Sequence, residues 1–275
     1  MQRTIIGQDR LLDRVDSLVL KDIPHTILIN GLCSGSGEHL VAEYIASHLG
    51  LASDDITEKL SAELIDEIYI KPEPYVYIID TVKLSIKDQN VILKFIEEPL
   101  MNAYVMLLCD NIYDLIPTVV NRCVVWTLDS YKPSDLMGFT DRVEGDVIFD
   151  IAHTPGQVIE YSTYDIDEMI KRASYIIENI ARASFSNILK LIGDVAFKDD
   201  DKDKFNLDAW VNVLEYSTSN KLMKELSIED SFKLQNALKL TIELGRNIRR
   251  VGIDKQALYY QYLINLWKTL RGEND

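Results

Sequence analysis

The sequence has little of what staples a small fold or marks a secreted or membrane protein. Its 275 residues include three cysteines, Cys33, Cys109 and Cys123, which are too few and too scattered for a disulfide framework or a zinc cage. No run approaches the roughly 18 apolar residues of a membrane-spanning helix. The opening MQRTIIGQDR has no apolar stretch behind its charges, unlike a signal peptide. These absences predict a cytoplasmic globular protein with reduced thiols.

Basic residues are also scarce. The chain has 29 Lys and Arg against 44 Asp and Glu, a net charge of -15, which excludes a protein that wraps nucleic acid or an anionic membrane by itself. The imbalance is uneven, because residues 1–164 carry a net charge of -14 and residues 165–275 only -1. The two parts are therefore expected to face different surroundings.

The first half alternates between buried strands and amphipathic helices, a pattern typical of an α/β fold with a parallel sheet. The predicted strands are His25–Gly31, Tyr75–Asp80, Ala103–Cys109 and Cys123–Leu128. A helix over Glu38–Leu49 is predicted to bury Leu40, Val41, Tyr44, Ile45 and Leu49. Ser85 and Asp88 have the spacing of a capping signal for a helix that runs to about Glu97 and is stopped by Pro99. The polar segment Ala52–Pro74 is predicted to hold one short helix, Ile56–Ile65, and an edge strand.

The second half shows helical periodicity alone. After a few short helices from about Ser130, the predicted helical segments are Ile166–Phe197, Leu207–Leu226, Ile228–Val251 and Asp254–Leu270, with a polar linker at Asp199–Lys204. In a chain of 275 residues, this change of pattern near residue 130 and again near residue 166 predicts two or three domains.

A glycine-rich turn, Gly31–His39, joins the first strand to the first helix. This is the setting of a phosphate-binding loop, whose full motif is G-x-x-x-x-G-K-[ST]. Gly35 and Gly37 fit the motif's later positions, but its first glycine falls on Leu32, Glu38 replaces the lysine and His39 replaces the Ser or Thr. A carboxylate would repel phosphates at the lysine position, so the loop is predicted to be a nucleotide-binding scaffold without its chemistry.

Asp80 ends the strand that would carry a magnesium-orienting acid in such a fold. A hydrolysing enzyme would follow this acid with a Glu, whereas here Thr81 follows. Gly35, Gly37, Glu38 and Asp80 are accordingly interpreted as a degenerate and unoccupied nucleotide site. A simple capping role for Asp80 is the alternative.

The segment Asp80–Cys123 resembles the bacterial clamp-loader family of AAA+ proteins. The helix NVILKFIEEP (Asn90–Pro99) and the closing Asn121-Arg122-Cys123 resemble the family's N-x-L-L-K-x-x-E-E-P and S-R-C motifs, and IIGQDRLLDRV (Ile5–Val15) resembles its opening G-Q-x-x-L. The resemblance implies an AAA+ domain at 1–128, a helical lid at 129–165 and an all-helical collar at 166–275. Within the family, the degenerate loop is similar to that of the non-hydrolysing delta-prime subunits of DNA polymerase III.

Other positions also depart from the ATPase members. Asn121 replaces the family's serine, and His153–Tyr161 has no nucleotide-sensing arginine after its glycine. The polar sensor position falls on Asp110 or Asn111. No cysteine lies between residues 34 and 108, so the zinc module of many relatives is not expected. No cofactor is expected either.

By resemblance, Arg122 is the arginine finger that completes a neighbouring subunit's ATP site. Pairing of Arg122 with an acid is the plainer alternative. The implied partners are gamma- or tau-like ATPase subunits and a delta-like subunit, with the sliding clamp and primed DNA reached through the complex. An ATP-binding nucleotide switch and a protein-binding adaptor outside replication remain as alternatives.

Two further clusters have two readings each. Arg246, Arg249 and Arg250 share a helix face and would contact DNA phosphates or stay solvated. The aromatic residues of the last helix would anchor a subunit interface or fill a helical core: Tyr259, Tyr260, Tyr262 and Trp267.

Overall fold

The computed structural model describes residues 5–31, 33–56, 74–81, 84–97, 102–143, 145–184, 187, 195–196, 205–248 and 253–273. These residues form two compact units. The first comprises residues 1–141 and 153–156, and the second comprises residues 142–152 and 157–275. The division into three domains stays a prediction.

The first unit is built on a five-stranded parallel sheet with the strand order β2-β3-β4-β1-β5. Its strands are β1 (Thr26–Asn30), β2 (Ala52–Ile56), β3 (Tyr75–Asp80), β4 (Ala103–Cys109) and β5 (Val124–Thr127). Its helices are α1 (Asp9–Asp16), α2 (Glu38–His48), α3 (Ile86–Glu97), α4 (Pro117–Val120) and α5 (Pro133–Leu136). Four strands match their predicted positions, and β2 is the predicted edge strand. The helix predicted over Ile56–Ile65 lies almost wholly outside the described residues.

The central strands are buried on both faces, because successive side chains enter different cores. On β1, Ile27 and Ile29 join Val41 and Ile45 of α2, whereas Leu28 packs in a second core with Phe95 of α3. All seven residues of β4 are buried. This continuous burial confirms the predicted α/β fold class with a parallel sheet.

One prediction about α2 is wrong. Leu40 is 54% exposed, whereas Val41, Ala42, Ile45 and Ala46 are buried. The helix turns its small alanines inward so that it packs closely on the sheet, which leaves Leu40 on the outer face. The Ser85–Asp88 capping signal is confirmed, since the Asp88 amide donates to Ser85 Oγ and the Ser85 amide donates to Asp88 Oδ2.

The second unit is helical. Its helices are α6 (Ile148–Ile151), α7 (Pro155–Tyr161), α8 (Ile166–Asn179), α9 (Leu207–Lys224), α10 (Ile228–Asn247) and α11 (Lys255–Arg271). The first two residues of α7 belong to the first unit, and the rest of α7 belongs to the second.

The prediction of a single helix over Ile166–Phe197 is wrong. The helix α8 ends at Asn179, because a 3-10 turn follows and Ala183 is extended. Within the same predicted helix, Val195–Ala196 is a two-residue strand that pairs in parallel with Phe205–Asn206. The predicted linker Asp199–Lys204 lies outside the described residues.

Buried hydrogen bonds fix the packing of this second unit. Trp210 Nε1 donates to Tyr259 Oη at 2.6 Å, and Asn212 Nδ2 donates to Tyr161 Oη at 2.8 Å. Tyr262 Oη lies 2.9 Å from Thr241 Oγ1. Tyr259 and Tyr262 are therefore core residues, as one of the two readings of the aromatic cluster expected. Across the described residues, every helix is too short or too polar to traverse a bilayer.

Candidate functional site

The glycine-rich turn lies between the end of β1 and the start of α2. Ligands of parallel α/β sheets bind at this carboxyl edge, where neighbouring connections run in opposite directions. Gly35 and Gly37 have φ values of 77° and 87°, which an L-residue adopts only with strain. Gly37 is the residue before the first turn of α2. Leu32 lies outside the described residues.

Three hydrogen bonds from other parts of the first unit hold the carbonyl groups of this turn. Tyr131 Oη donates to the carbonyl of Ser36 at 2.6 Å, and Thr154 Oγ1 donates to the carbonyl of Ser34 at 2.8 Å. The amide of Gly156 donates to the carbonyl of Gly35 at 3.1 Å. These hydrogen bonds hold the backbone of the turn in place from outside the turn itself.

The Gly7-Gln8 pair, which resembles the family's opening motif, supports the hydrogen bond from Tyr131. Gln8 is fully buried, and its side-chain amide exchanges two hydrogen bonds with the backbone of Asp129. Gly7 lies against the ring of Tyr131, where an added Cβ would come within 2.9 Å of the ring. The pair thus positions the segment from which Tyr131 reaches the glycine turn.

Glu38 points back into the turn instead of out to solvent. The residue is 9% exposed, and a Cβ added to Gly31 would overlap its carboxyl group. The backbone of Gly37 and Glu38 favours the charged form of this carboxyl and lowers its pKa. Its Oε1 atom has no hydrogen-bond partner within the part of the chain described.

Burial and neighbouring acids make this carboxyl a weaker acid than an ordinary glutamate. Burial, together with the charges of Asp110 and Asp80, raises the pKa of Glu38 to about 7, although the nearby backbone lowers it. A lysine at this position would neutralise a phosphate, whereas Glu38 adds to an acidic corner. Over the described ranges, no group of three His, Cys, Asp or Glu is placed to hold a metal ion.

Asp80 lies at the carboxyl end of β3, as predicted, and is exposed. The next residue, Thr81, is buried, and its hydroxyl donates to the carbonyl of Leu108 at 2.7 Å. Thr81 thus ties β3 to β4 and has no carboxylate with which to polarise water. Of the two predicted sensor positions, Asn111 accepts a hydrogen bond from the amide of Tyr113 and so caps the turn after β4.

Arg122 lies on the surface just after α4. Its Nη2 atom forms an ion pair with Glu97 Oε1 at 2.6 Å, and its Nη1 atom donates to the carbonyl of Thr118 at 2.9 Å. The two side chains are 40% and 47% exposed, so the pair is open to solvent. Val124 and Val125, on the edge strand β5, are exposed close by in the sequence.

Residues 52–132 match the protein family described as "DNA polymerase III, delta subunit". This segment belongs to the clamp-loader AAA+ family. It contains Asp80, Glu97 and Arg122, three of the residues on which the resemblance rested. Among curated proteins, none matches the chain significantly.

Solved structures with similar folds include a DNA polymerase III gamma subunit-related protein from Thermotoga maritima, at 14% identity and a TM-score of 0.46. That match covers 96% of this chain and 100% of the other. The RuvB Holliday junction branch migration motor of Thermotoga maritima is 18% identical with a TM-score of 0.43, covering 94% of this chain and 88% of the other. The family match lies in residues 52–132.

Sequence reasoning missed the residues that fix the glycine turn from outside, namely Tyr131, Thr154 and Gly156. Their contacts join parts of the chain that are about 95 to 120 positions apart, so no local pattern in the sequence signals them. Of the predicted arginine cluster, Arg246 lies in the last turn of α10. Arg249 and Arg250 lie outside the described residues.

Proposed function

We propose that the chain is a delta-prime-like subunit of a DNA polymerase III clamp loader that does not hydrolyse ATP. It assembles with ATPase subunits and supplies Arg122 to the ATP site of a neighbour. The observation that carries the proposal is the surface position of Arg122 within the clamp-loader segment. A solvent-open guanidinium can leave Glu97 for a phosphate at small cost, since exposed ion pairs contribute about 0–1 kcal/mol.

The chemistry of an arginine suits this role. A guanidinium is planar, permanently charged and able to donate two parallel hydrogen bonds to a phosphoryl group. Such a group stabilises the charge that develops during phosphoryl transfer, and a finger supplied in trans is worth about 10³–10⁵ in turnover. The exposed Val124 and Val125 provide apolar surface that a neighbouring subunit would cover.

Three features support the absence of hydrolysis by the chain itself. Glu38 stands in place of the phosphate-binding lysine, His39 in place of the magnesium-binding hydroxyl, and Thr81 in place of the water-polarising Glu. On this proposal the contribution to clamp loading is assembly and the completion of a neighbour's site. The sliding clamp and primed DNA are then reached through the complex, together with a delta-like subunit.

Reconstitution tests the proposal. The purified chain alone should release no phosphate from ATP above background, and adding it to its clamp-loader ATPase subunit should form a stable complex with raised ATP turnover. ATP hydrolysis by the chain alone would contradict the proposal in favour of an ATPase of the same fold. A complex that fails to form would favour an adaptor outside replication.

A further inference from the structure

The glycine turn between β1 and α2 has the shape of a phosphate cradle, yet its polar groups are already engaged. The Cys33 amide donates to Ser36 Oγ at 3.2 Å, and the Ser36 hydroxyl donates to the Cys33 carbonyl at 2.5 Å. The backbone of Gly37 and Glu38, at the start of α2, favours the charged form of the Glu38 carboxyl and lowers its pKa. The amides of this helix start are the groups that would otherwise point at a bound anion.

The carboxyl also occupies the volume of the cradle. It lies so close to Gly31 that no side chain fits there, and Glu38 is more than nine-tenths buried. Its Oε1 atom is buried without a hydrogen-bond partner among the described residues, which is a costly arrangement for a carboxyl oxygen. The start of α2 offsets part of this cost, because the amino end of a helix favours a negative charge.

We infer that Glu38 is an internal ligand of the phosphate cradle, with its carboxyl in the place of the terminal phosphates of a nucleoside di- or triphosphate. The side chain blocks the cradle by volume and by charge, and it holds the turn in the conformation of a filled site. This inference goes beyond the proposed function, because it concerns the turn alone and holds whether or not Arg122 acts on a neighbour.

The hydrogen bonds that hold the turn from outside explain why the Glu38 side chain alone is enough to block the cradle. Tyr131, Thr154 and Gly156 hold the three carbonyls of Ser34, Gly35 and Ser36, so the cradle keeps its shape when the carboxyl is removed. Removing the carboxyl then exposes the amides of residues 37 and 38 without collapsing the turn. The site thus uncovered would take the phosphates of ADP, without a magnesium ion, because His39 supplies no hydroxyl.

Calorimetric titration of magnesium-free ADP into the full chain tests the inference with three variants. Glu38→Ala opens the cradle, and Glu38→Gln keeps it filled without charge. Glu43→Ala removes the same charge one turn further along α2, where the side chain is 53% exposed. Glu38→Ala should bind ADP at least tenfold more tightly than the unmodified chain, while Glu38→Gln and Glu43→Ala should show no gain.

Equal ADP affinity for the unmodified chain and Glu38→Ala would overturn the inference, as would an equal gain in Glu43→Ala. Amide hydrogen exchange without ligand gives a second readout. The amides of residues 37 and 38 should exchange at least tenfold faster in Glu38→Ala, whereas those of β4 should be unchanged. Unchanged exchange at 37 and 38 would show that the carboxyl does not hold them. Neither result depends on the effect of Arg122 on a partner's ATP turnover.

Discussion

Gly35 and Gly156 meet backbone to backbone. The Gly156 amide donates to the Gly35 carbonyl at 3.1 Å, and a Cβ on either residue would lie 2.6 Å from the Cα of the other. The contact joins the turn after β1 to a segment about 120 residues later in the chain. Both positions therefore require glycine, Gly35 additionally because of its φ of 77°.

Gly156→Ala should destabilise the first unit by about 1–3 kcal/mol, because the added methyl group meets backbone that cannot rotate away. Urea unfolding followed by circular dichroism measures the change in the free energy of unfolding. Gly138→Ala is the matched control, since nothing lies within 4 Å of a Cβ added there. Equal stability of the two variants would show that the Gly35–Gly156 contact is not tight.

The pKa of Glu38 predicts a pH dependence of stability. Since the pKa is about 7 in the folded chain and near 4.5 when unfolded, the folded chain binds more protons between these values. The contribution of Glu38 to the free energy of unfolding is thus fully present below pH 4.5 and is lost as the pH rises to 7. Glu38→Gln should remove this loss, on the order of 2 kcal/mol between pH 5 and 7.

Urea unfolding at pH 5, 6, 7 and 8 measures this pH dependence. Asp80 and Asp110 face Glu38 and remain in the variant, so the comparison isolates one carboxyl. Glu43→Gln removes an exposed carboxyl of the same helix and should leave the pH profile close to that of the unmodified chain. A parallel profile for Glu38→Gln and the unmodified chain would mean that Glu38 is not buried.

The hydrogen bond between Trp210 and Tyr259 lies in the buried core of the second unit. Tyr259→Phe keeps the ring and leaves the indole N–H of Trp210 without its acceptor, at a cost of about 1–3 kcal/mol. Tyr175→Phe removes a hydroxyl from a side chain that is 60% exposed and should change stability by less than about 0.5 kcal/mol. Thermal unfolding measures the midpoint temperature of each variant. Equal shifts of the midpoint would contradict a buried hydrogen bond between Trp210 and Tyr259.

Local pattern was enough to predict the sheet. Tyr75–Asp80 and Ala103–Cys109 match the observed strands residue for residue, because buried parallel strands are continuous apolar runs bounded by polar residues. The capping residues Ser85 and Asp88 were equally visible, since their interaction spans three positions. What the sequence did not reveal depends on distant contacts. The Glu38 side chain points inward because it packs against Gly31 at the start of α2, and these groups come together only in the folded chain.

The failures have the same origin. Leu40 has the apolar character of a core residue, but close packing of Ala42 and Ala46 on the sheet decides which face of α2 is buried. The pair Val195–Ala196 and Phe205–Asn206 joins two strands of two residues each, too short to leave a periodic signal. Pairing of Arg122 with an acid was one of the two interpretations, but the sequence did not identify its partner, Glu97, which lies 25 positions earlier in the chain.

The most direct test of the account is the ATP turnover of the reconstituted complex with Arg122 changed. Arg122→Ala should lower turnover at the neighbouring site by about 10³ or more, and Arg122→Lys should restore little of it, because an ammonium lacks the planar fork. Glu97→Gln breaks the same ion pair but keeps the guanidinium, so it should leave turnover nearly unchanged. Stability should change by no more than about 1 kcal/mol in each variant, since the pair is exposed. Undiminished turnover with Arg122→Ala, in a complex that assembles normally, would contradict the central claim.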